Sequence, residues 1–146
     1  MLTKKSLIEE FKLLGLKSGD HVFVHSSYAT LSNSPGGVEN GPQTVVDALL
    51  AILGENGTLI MPTFNYNFLR GEQWDIRNTP SQMGILTELV RKDPRSKRMF
   101  HPIYSVAAIG KFADAIEVLQ SIDCFGDTTI FKKLRDWNSK ILVMGL

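Results

Sequence analysis

Residues 40–64 read NGPQTVVDALLAILGENGTLIMPTF. Val45, Leu49, Ile52 and Leu53 recur at helical spacing, Pro42 suits a first helical position, and Gly54 is a stop. The pattern predicts a helix beginning at Pro42. Past Gly57 the apolar run Leu59–Met61 has strand character, and Pro62 breaks it. A helix feeding directly into a buried strand is the repeating unit of an α/β fold.

The same alternation extends in both directions. Upstream, TKKSLIEEFKLLG (3–15) places Leu7, Ile8, Phe11 and Leu14 on one helical face, with Thr3 as N-cap and Gly15 as stop. DHVFVHSS (20–27) holds the apolar run Val22–Val24. Downstream, SQMGILTELVRK (81–92) reads as a helix capped by Ser81, and YSVAAIG (104–110) as a strand. KFADAIEVLQSI (111–122) and TIFKKLRDW (129–137) read as helices, and KILVMG (140–145) as the last strand. Together these imply an α/β fold, a mostly parallel sheet with helices on both faces. In such sheets, sites form at the carboxyl ends of strands.

Composition bounds the function. The 146 residues, 43% hydrophobic and 21% charged with net charge +1, suit one globular domain and no polyanion-binding surface. The basic cluster RKDPRSKR (91–98) is interrupted by Asp93 and Pro94 and reads as a solvated loop. No apolar stretch has the length of a membrane span, and the N-terminus lacks a signal-peptide core. The single cysteine, Cys124, excludes an intrachain disulfide and most cysteine-based metal sites. A soluble cytoplasmic protein, without metal, nucleic acid or membrane partners, is expected.

Four strand ends carry candidate chemistry. VHSSYATLSNSPGGVENGP (24–42) places His25, Ser26 and Ser27 beyond a strand, then runs through Gly36 and Gly37 into a helix. Free N–H groups at that helix start could hold a phosphate, and a flexible connection explains the glycines equally well. Pro42 and Gln43 occupy the P-loop Lys and Ser/Thr positions, and G-x-G-x-x-G is absent. Period-two alternation sends His21, Phe23 and His25 to one face and Val22 and Val24 to the other. A nucleophilic Ser26 or Ser27 lacks the G-x-S-x-G elbow. MPTF (61–64) leaves the Thr63 hydroxyl at the sheet rim. NTPSQMG (78–84) leads into a helix with Gly84 as fourth residue, a choice costing roughly 1 kcal/mol against Ala. Close approach of a ligand, or a tight helix–sheet contact, would account for it. HPIYSVAAIG (101–110) flanks a strand start with His101, a turn residue, and Ser105.

In combination these segments are more specific. GDHVFVHSS, the 40–64 unit, TPSQMGILTE, HPIYSVAAIGK and CFGDTTIFKKL before ILVMG occur in order. The chain resembles the aminoglycoside 3-N-acetyltransferase family, the antibiotic N-acetyltransferases that do not share the GNAT fold. The resemblance runs from about Leu7 onward. It departs from many members at Tyr104, where they have His, and at FGDTTIF (125–131), where they have a Gly-Pro-Gly-Ser-Pro-type loop.

The resemblance implies direct acetyl transfer from acetyl-CoA to an amine of an aminoglycoside, the 3-amino group of 2-deoxystreptamine, or of a related amino sugar. One branch acetylates amino sugars in polysaccharide loci. Family members continue into a Thr-x-x-His-x-x-Glu type segment that supplies the general base. Residues 1–146 are therefore expected to be the N-terminal portion of one such domain, through a truncated gene, a split reading frame or an artificially shortened chain. The catalytic residues remain unassigned within it. An inactive or binding-only remnant is the competing reading, and a homodimer is compatible with either. The resemblance puts His25, Ser26, Ser27, Gly36, Gly37, Thr63, Met83, Gly84 and Ser105 on the CoA side. Asp75, Glu72 and Trp74 in RGEQWDIRN (70–78) are candidates for a cationic sugar, an acid pair and an aromatic face, and a solvated loop is the competing reading of that segment.

Overall fold

The computed structural model describes residues 1–146. In chain order it forms α1 (Lys4–Leu13), β1 (His21–Ser26), α2 (Tyr28–Ser32), α3 (Pro42–Leu53) and β2 (Thr58–Pro62). A 3₁₀ turn at Asn67–Arg70 precedes α4 (Ile85–Lys92), β3 (Lys97–Arg98), β4 (Val106–Gly110), α5 (Ala113–Glu117), α6 (Ile130–Asp136) and β5 (Lys140–Met144). The strands make one sheet in the order β3-β4-β2-β1-β5.

β1 pairs in parallel with β2 and β5, whereas β4 is antiparallel to both β2 and β3. Four strands thus run one way and only β4 is reversed. The reason is the short link between β3 and β4. It can turn the chain back, but a parallel return requires a crossover of a dozen or more residues.

Local chemistry explains the element ends. Thr3 and Ser6 form a reciprocal capping box at α1. Pro42 opens α3, and Gly54 closes it at φ 65°. The alternation of β1 sorts the core as its sequence implies. Val22 and Val24 join Leu59, Met61 and Leu142 beneath α1, α3 and α4. Phe23 joins Ile60, Val106 and Ala108 beneath α5 and α6. Nineteen buried residues form the first layer and nine the second, so the second face is the thinner one. At its β5 end Ile141 is 70% exposed and Val143 57% exposed. No helix is long and apolar enough to cross a membrane.

Three sequence expectations need correction. The fourth helix begins at Ile85, not Ser81, and its N-cap is Gly84 at φ 111°. Ser81 lies three residues before the cap position, and its hydroxyl braces the preceding turn instead, accepting from Met83 N–H at 3.0 Å and from the Thr87 hydroxyl at 2.7 Å. Gly84 therefore lies outside the helix interior, and a Cβ there would meet nothing within 4 Å, so helix–sheet crowding does not explain it. The helix after β4 ends at Glu117, short of Ile122. The cluster at 91–98 is not a solvated loop throughout, since it closes α4 and supplies β3, whose Arg98 is buried.

Candidate functional site

The carboxyl end of β1 and the turn that opens α4 frame a cleft of about 590 Å³. One wall is Ser26, Ser27 and Tyr28, and the other is Gln82, Met83 and Gly84. Each wall is fixed by backbone bonds to strand ends. Ser27 N–H donates to the Met144 carbonyl of β5 at 2.9 Å, and Gln82 N–H to the Phe64 carbonyl beyond β2 at 2.9 Å. The Ser27 hydroxyl lies 3.2 Å from that of Thr30. The turn before α4 is braced from below by Glu88. Burial alone would raise that carboxyl, but the Arg91 guanidinium and the Ser81 N–H outweigh it and bring it down to about 2. The first N–H groups of α4 have no partners within the helix and open toward Gly84.

The remaining expected site residues are distributed differently. His25 lies on the Phe23 face, edge-on to that ring at 4.7 Å, in a groove with Phe131 and Ile141. Strand alternation separates it from Ser26 and the cleft. Gly36 and Gly37 do not line the cleft either. Their loop is held by the N-terminus: Leu2 N–H donates to the Gly37 carbonyl at 2.7 Å, and a Cβ on Gly36 would lie 2.8 Å from the Met1 nitrogen. Gly36 serves this close backbone approach, and Gly37 supplies a left-handed backbone at φ 66°.

Thr63 and Ser105 are fully buried, not at the rim. Their hydroxyls lie 2.9 Å apart, and Arg98 Nε donates to both at 3.2 Å. His101 is also buried, and its Nδ1 accepts the N–H groups of Ile103 and Tyr104 at 3.1 and 2.9 Å. That fixes the ring proton on Nε2, which has no hydrogen-bond partner. Burial lowers the His101 pKa, and the nearby Asp123 backbone offsets part of this without a bond of normal geometry. His101 is the turn residue its sequence suggests. None of the three histidines hydrogen-bonds a carboxylate.

A second pocket, about 400 Å³, lies in the loop after β2. Trp74, Asp75 and Glu72 line it together with Asn65 and Asn78. Asp75 Oδ1 accepts the N–H groups of Arg77 and Asn78 at 2.9 and 2.6 Å. The Glu72 carboxylate accepts from Asn67 Nδ2 at 2.8 Å. No group of three His, Cys, Asp or Glu side chains converges as metal ligands would.

Sequence reading missed Glu88, Arg91, Tyr28 and Arg98. Glu88 and Arg91 did carry a signal, the i,i+3 spacing of an ion pair on a helix. Arg98 carried none, because its partners are 7 to 35 residues away.

The family model for aminoglycoside 3-N-acetyltransferases matches residues 23–146. The chain belongs to the aminoglycoside 3-N-acetyltransferase family. Among family relatives, the SPbeta prophage-derived aminoglycoside N(3')-acetyltransferase-like protein YokD of Bacillus subtilis (strain 168) is 32% identical, over 98% of this chain and 60% of that protein. The solved structure of AAC-IIIb with CoASH is similar at TM-score 0.85 and 25% identity, covering 97% of this chain and 58% of that one. AAC-VIa bound to sisomicin is similar at TM-score 0.83 and 26% identity, with the same coverage of 97% and 58%. This chain therefore spans three-fifths or less of the length of these three proteins.

Proposed function

We propose that the chain takes part in acetyl transfer from acetyl-CoA to an amine of an aminoglycoside or related amino sugar, the chemistry of antibiotic-resistance acetyltransferases. The observation that carries this reading is the family match across residues 23–146, coincident with an open cleft at the carboxyl end of β1. The CoASH held by AAC-IIIb and the sisomicin held by AAC-VIa support the two ligand classes. The reading places the chain in the cytoplasm, where acetyl-CoA is available.

In this scheme the thioester lies in the cleft between Ser26–Ser27 and Met83–Gly84. The hydroxyls and the N–H groups at the start of α4 donate to the acyl carbonyl as its oxygen gains charge. The acceptor ammonium gives its proton to a base and the neutral amine attacks the carbonyl carbon. The C–S bond then breaks, and the nitrogen's surplus proton passes to the departing CoA thiolate, leaving the amide and the free thiol. The acceptor's remaining cationic groups meet Asp75 and Glu72, with Trp74 against a sugar ring. A histidine oriented by a carboxylate suits the proton transfer, and His21, His25 and His101 lack that arrangement. We assign the base to the family's His-containing segment, outside residues 1–146.

A second reading, a binding-only remnant that supports no turnover even beside a complementing segment, is favoured by the uncovered β5 face at Ile141 and Val143. A thiol-release assay separates the two, with acetyl-CoA and kanamycin or gentamicin as substrates. It is run on the chain alone and with a C-terminal segment from a full-length relative. A positioned base is worth roughly 10²–10⁴-fold, so release should emerge on complementation. Robust release by the chain alone, abolished by His25→Ala or His101→Ala, would refute the assignment of the base. No release in either arrangement would refute the transferase reading.

A further inference from the structure

Arg98 is a buried cation whose five hydrogen bonds all go to neutral oxygens. Nε donates to the Thr63 and Ser105 hydroxyls, and Nη2 to the Thr63 carbonyl at 3.0 Å. Nη1 donates to the Ile76 and Thr79 carbonyls at 3.1 and 2.6 Å. The guanidinium carbon lies 5.1 Å from the centre of the Trp74 ring, and that ring meets Phe100 edge-on at 5.2 Å. No salt bridge to Arg98 exists. Burial, reinforced by the charge of Arg91, lowers its pKa to about 10 despite the opposing fields of Glu88 and Asp75.

A cation buried without a counter-ion is an unfavourable way to hold a sheet together. What it supplies is direction: a planar fork reaching two strand ends and a loop at once, with a face left for an aromatic ring. Three of the groups it holds, Ile76, Thr79 and Trp74, belong to one loop, the loop that carries the acidic and aromatic wall of the 400 Å³ pocket. Within that wall Asp75 spends Oδ1 on the turn, while Oδ2 accepts nothing from the chain. It stays available to an ammonium group.

We propose that Arg98 is a positioning residue for the acceptor amine, acting through the loop it fastens to the sheet. This rests on the reading that Trp74 and Asp75 face the acceptor. Arg98 touches neither substrate. It fixes Trp74 and the 75–79 turn relative to the strand ends, so the pocket is formed before the cation arrives.

The test uses Trp137→Phe, which leaves Trp74 as the sole tryptophan of the two in the chain. Arg98→Lys is added, keeping the charge but not the fork or the stack. Trp74 emission should shift red and become more accessible to acrylamide. Kanamycin affinity, read by calorimetry, should fall roughly tenfold while CoA affinity is unchanged, the split expected of lost acceptor pre-organisation. Unchanged Trp74 emission and kanamycin affinity would overturn the proposal, as would parallel loss of both ligands, which marks a general structural role. If the parent binds CoA but no kanamycin, the acceptor reading itself fails, and the positioning role falls with it. Should Arg98→Lys fail to fold, Trp74→Leu carries the test, because it removes the ring and leaves the five hydrogen bonds. It should weaken kanamycin and spare CoA, and unchanged kanamycin affinity overturns the proposal.

Discussion

Glu88 Oε1 accepts the backbone N–H of Ser81 at 2.6 Å, while the same carboxylate takes a two-pronged bond from Arg91 at 2.6 and 2.9 Å. One helix side chain thereby ties down the turn that forms a wall of the cleft. Its carboxyl lies at about 2 in the fold against 4.5 unperturbed. A depressed carboxyl contributes stability above its unfolded pKa and loses it as pH falls through its folded one. This contribution is therefore whole above about pH 4.5 and gone near pH 2. Glu88→Gln should cost about 2 kcal/mol at neutral pH, the scale of a charge-assisted hydrogen bond. It should also flatten the acid limb between those two pH values. Urea denaturation at several pH values measures both, and an unaltered acid limb would refute the role.

The glycines divide by what surrounds them. Gly84, at φ 111°, has open space where a Cβ would stand, so Gly84→Ala should cost only backbone strain, about 1–3 kcal/mol. Gly110, at φ 122°, would put a Cβ 2.2 Å from the Gly57 carbonyl oxygen. Gly110→Ala must push β4 and β2 apart and should be the more damaging of the two. Thermal melts rank them, and the reverse order would contradict this packing.

Along β5, neighbours in sequence have opposite environments. Leu142 is 6% exposed and Ile141 70% exposed. Leu142→Ala should cost about 2–5 kcal/mol, as in other buried positions. Ile141→Lys should change stability by no more than about 0.5 kcal/mol while reducing binding of a dye that reports exposed apolar surface. Equal destabilisation by the two would mean that the outer face is covered.

The long elements were legible because their signals are local. Apolar spacing, Thr3, Pro42 and Gly54 suffice for α1 and α3, and the Val22–Val24 alternation sorts both layers of the core. The reversal of β4 was not legible. It depends on β3, two residues inside a stretch whose charge density resembles a solvated loop. Ser81 has the composition of a cap, and its hydroxyl does accept the Met83 N–H, but in a turn that stops short of the helix at Gly84. Of the expected site residues, Ser26, Ser27, Met83 and Gly84 do come together along one cleft, because the first pair ends β1 and the second pair opens α4. The burial of Thr63 and Ser105 was not legible, because a hydroxyl at the edge of a strand reads the same whether it meets solvent or a buried arginine.

The central claim is that the strand-end cleft holds the CoA donor. The most direct measurement is an amide NMR titration of the ¹⁵N-labelled chain with CoA. The account predicts shifts concentrated at residues 26–29 and 82–85, with Ser26→Ala/Ser27→Ala weakening the titration. Shifts confined to the Trp74–Asp75 loop or to the Phe131–Ile141 groove, or an undiminished titration in the double variant, would contradict it.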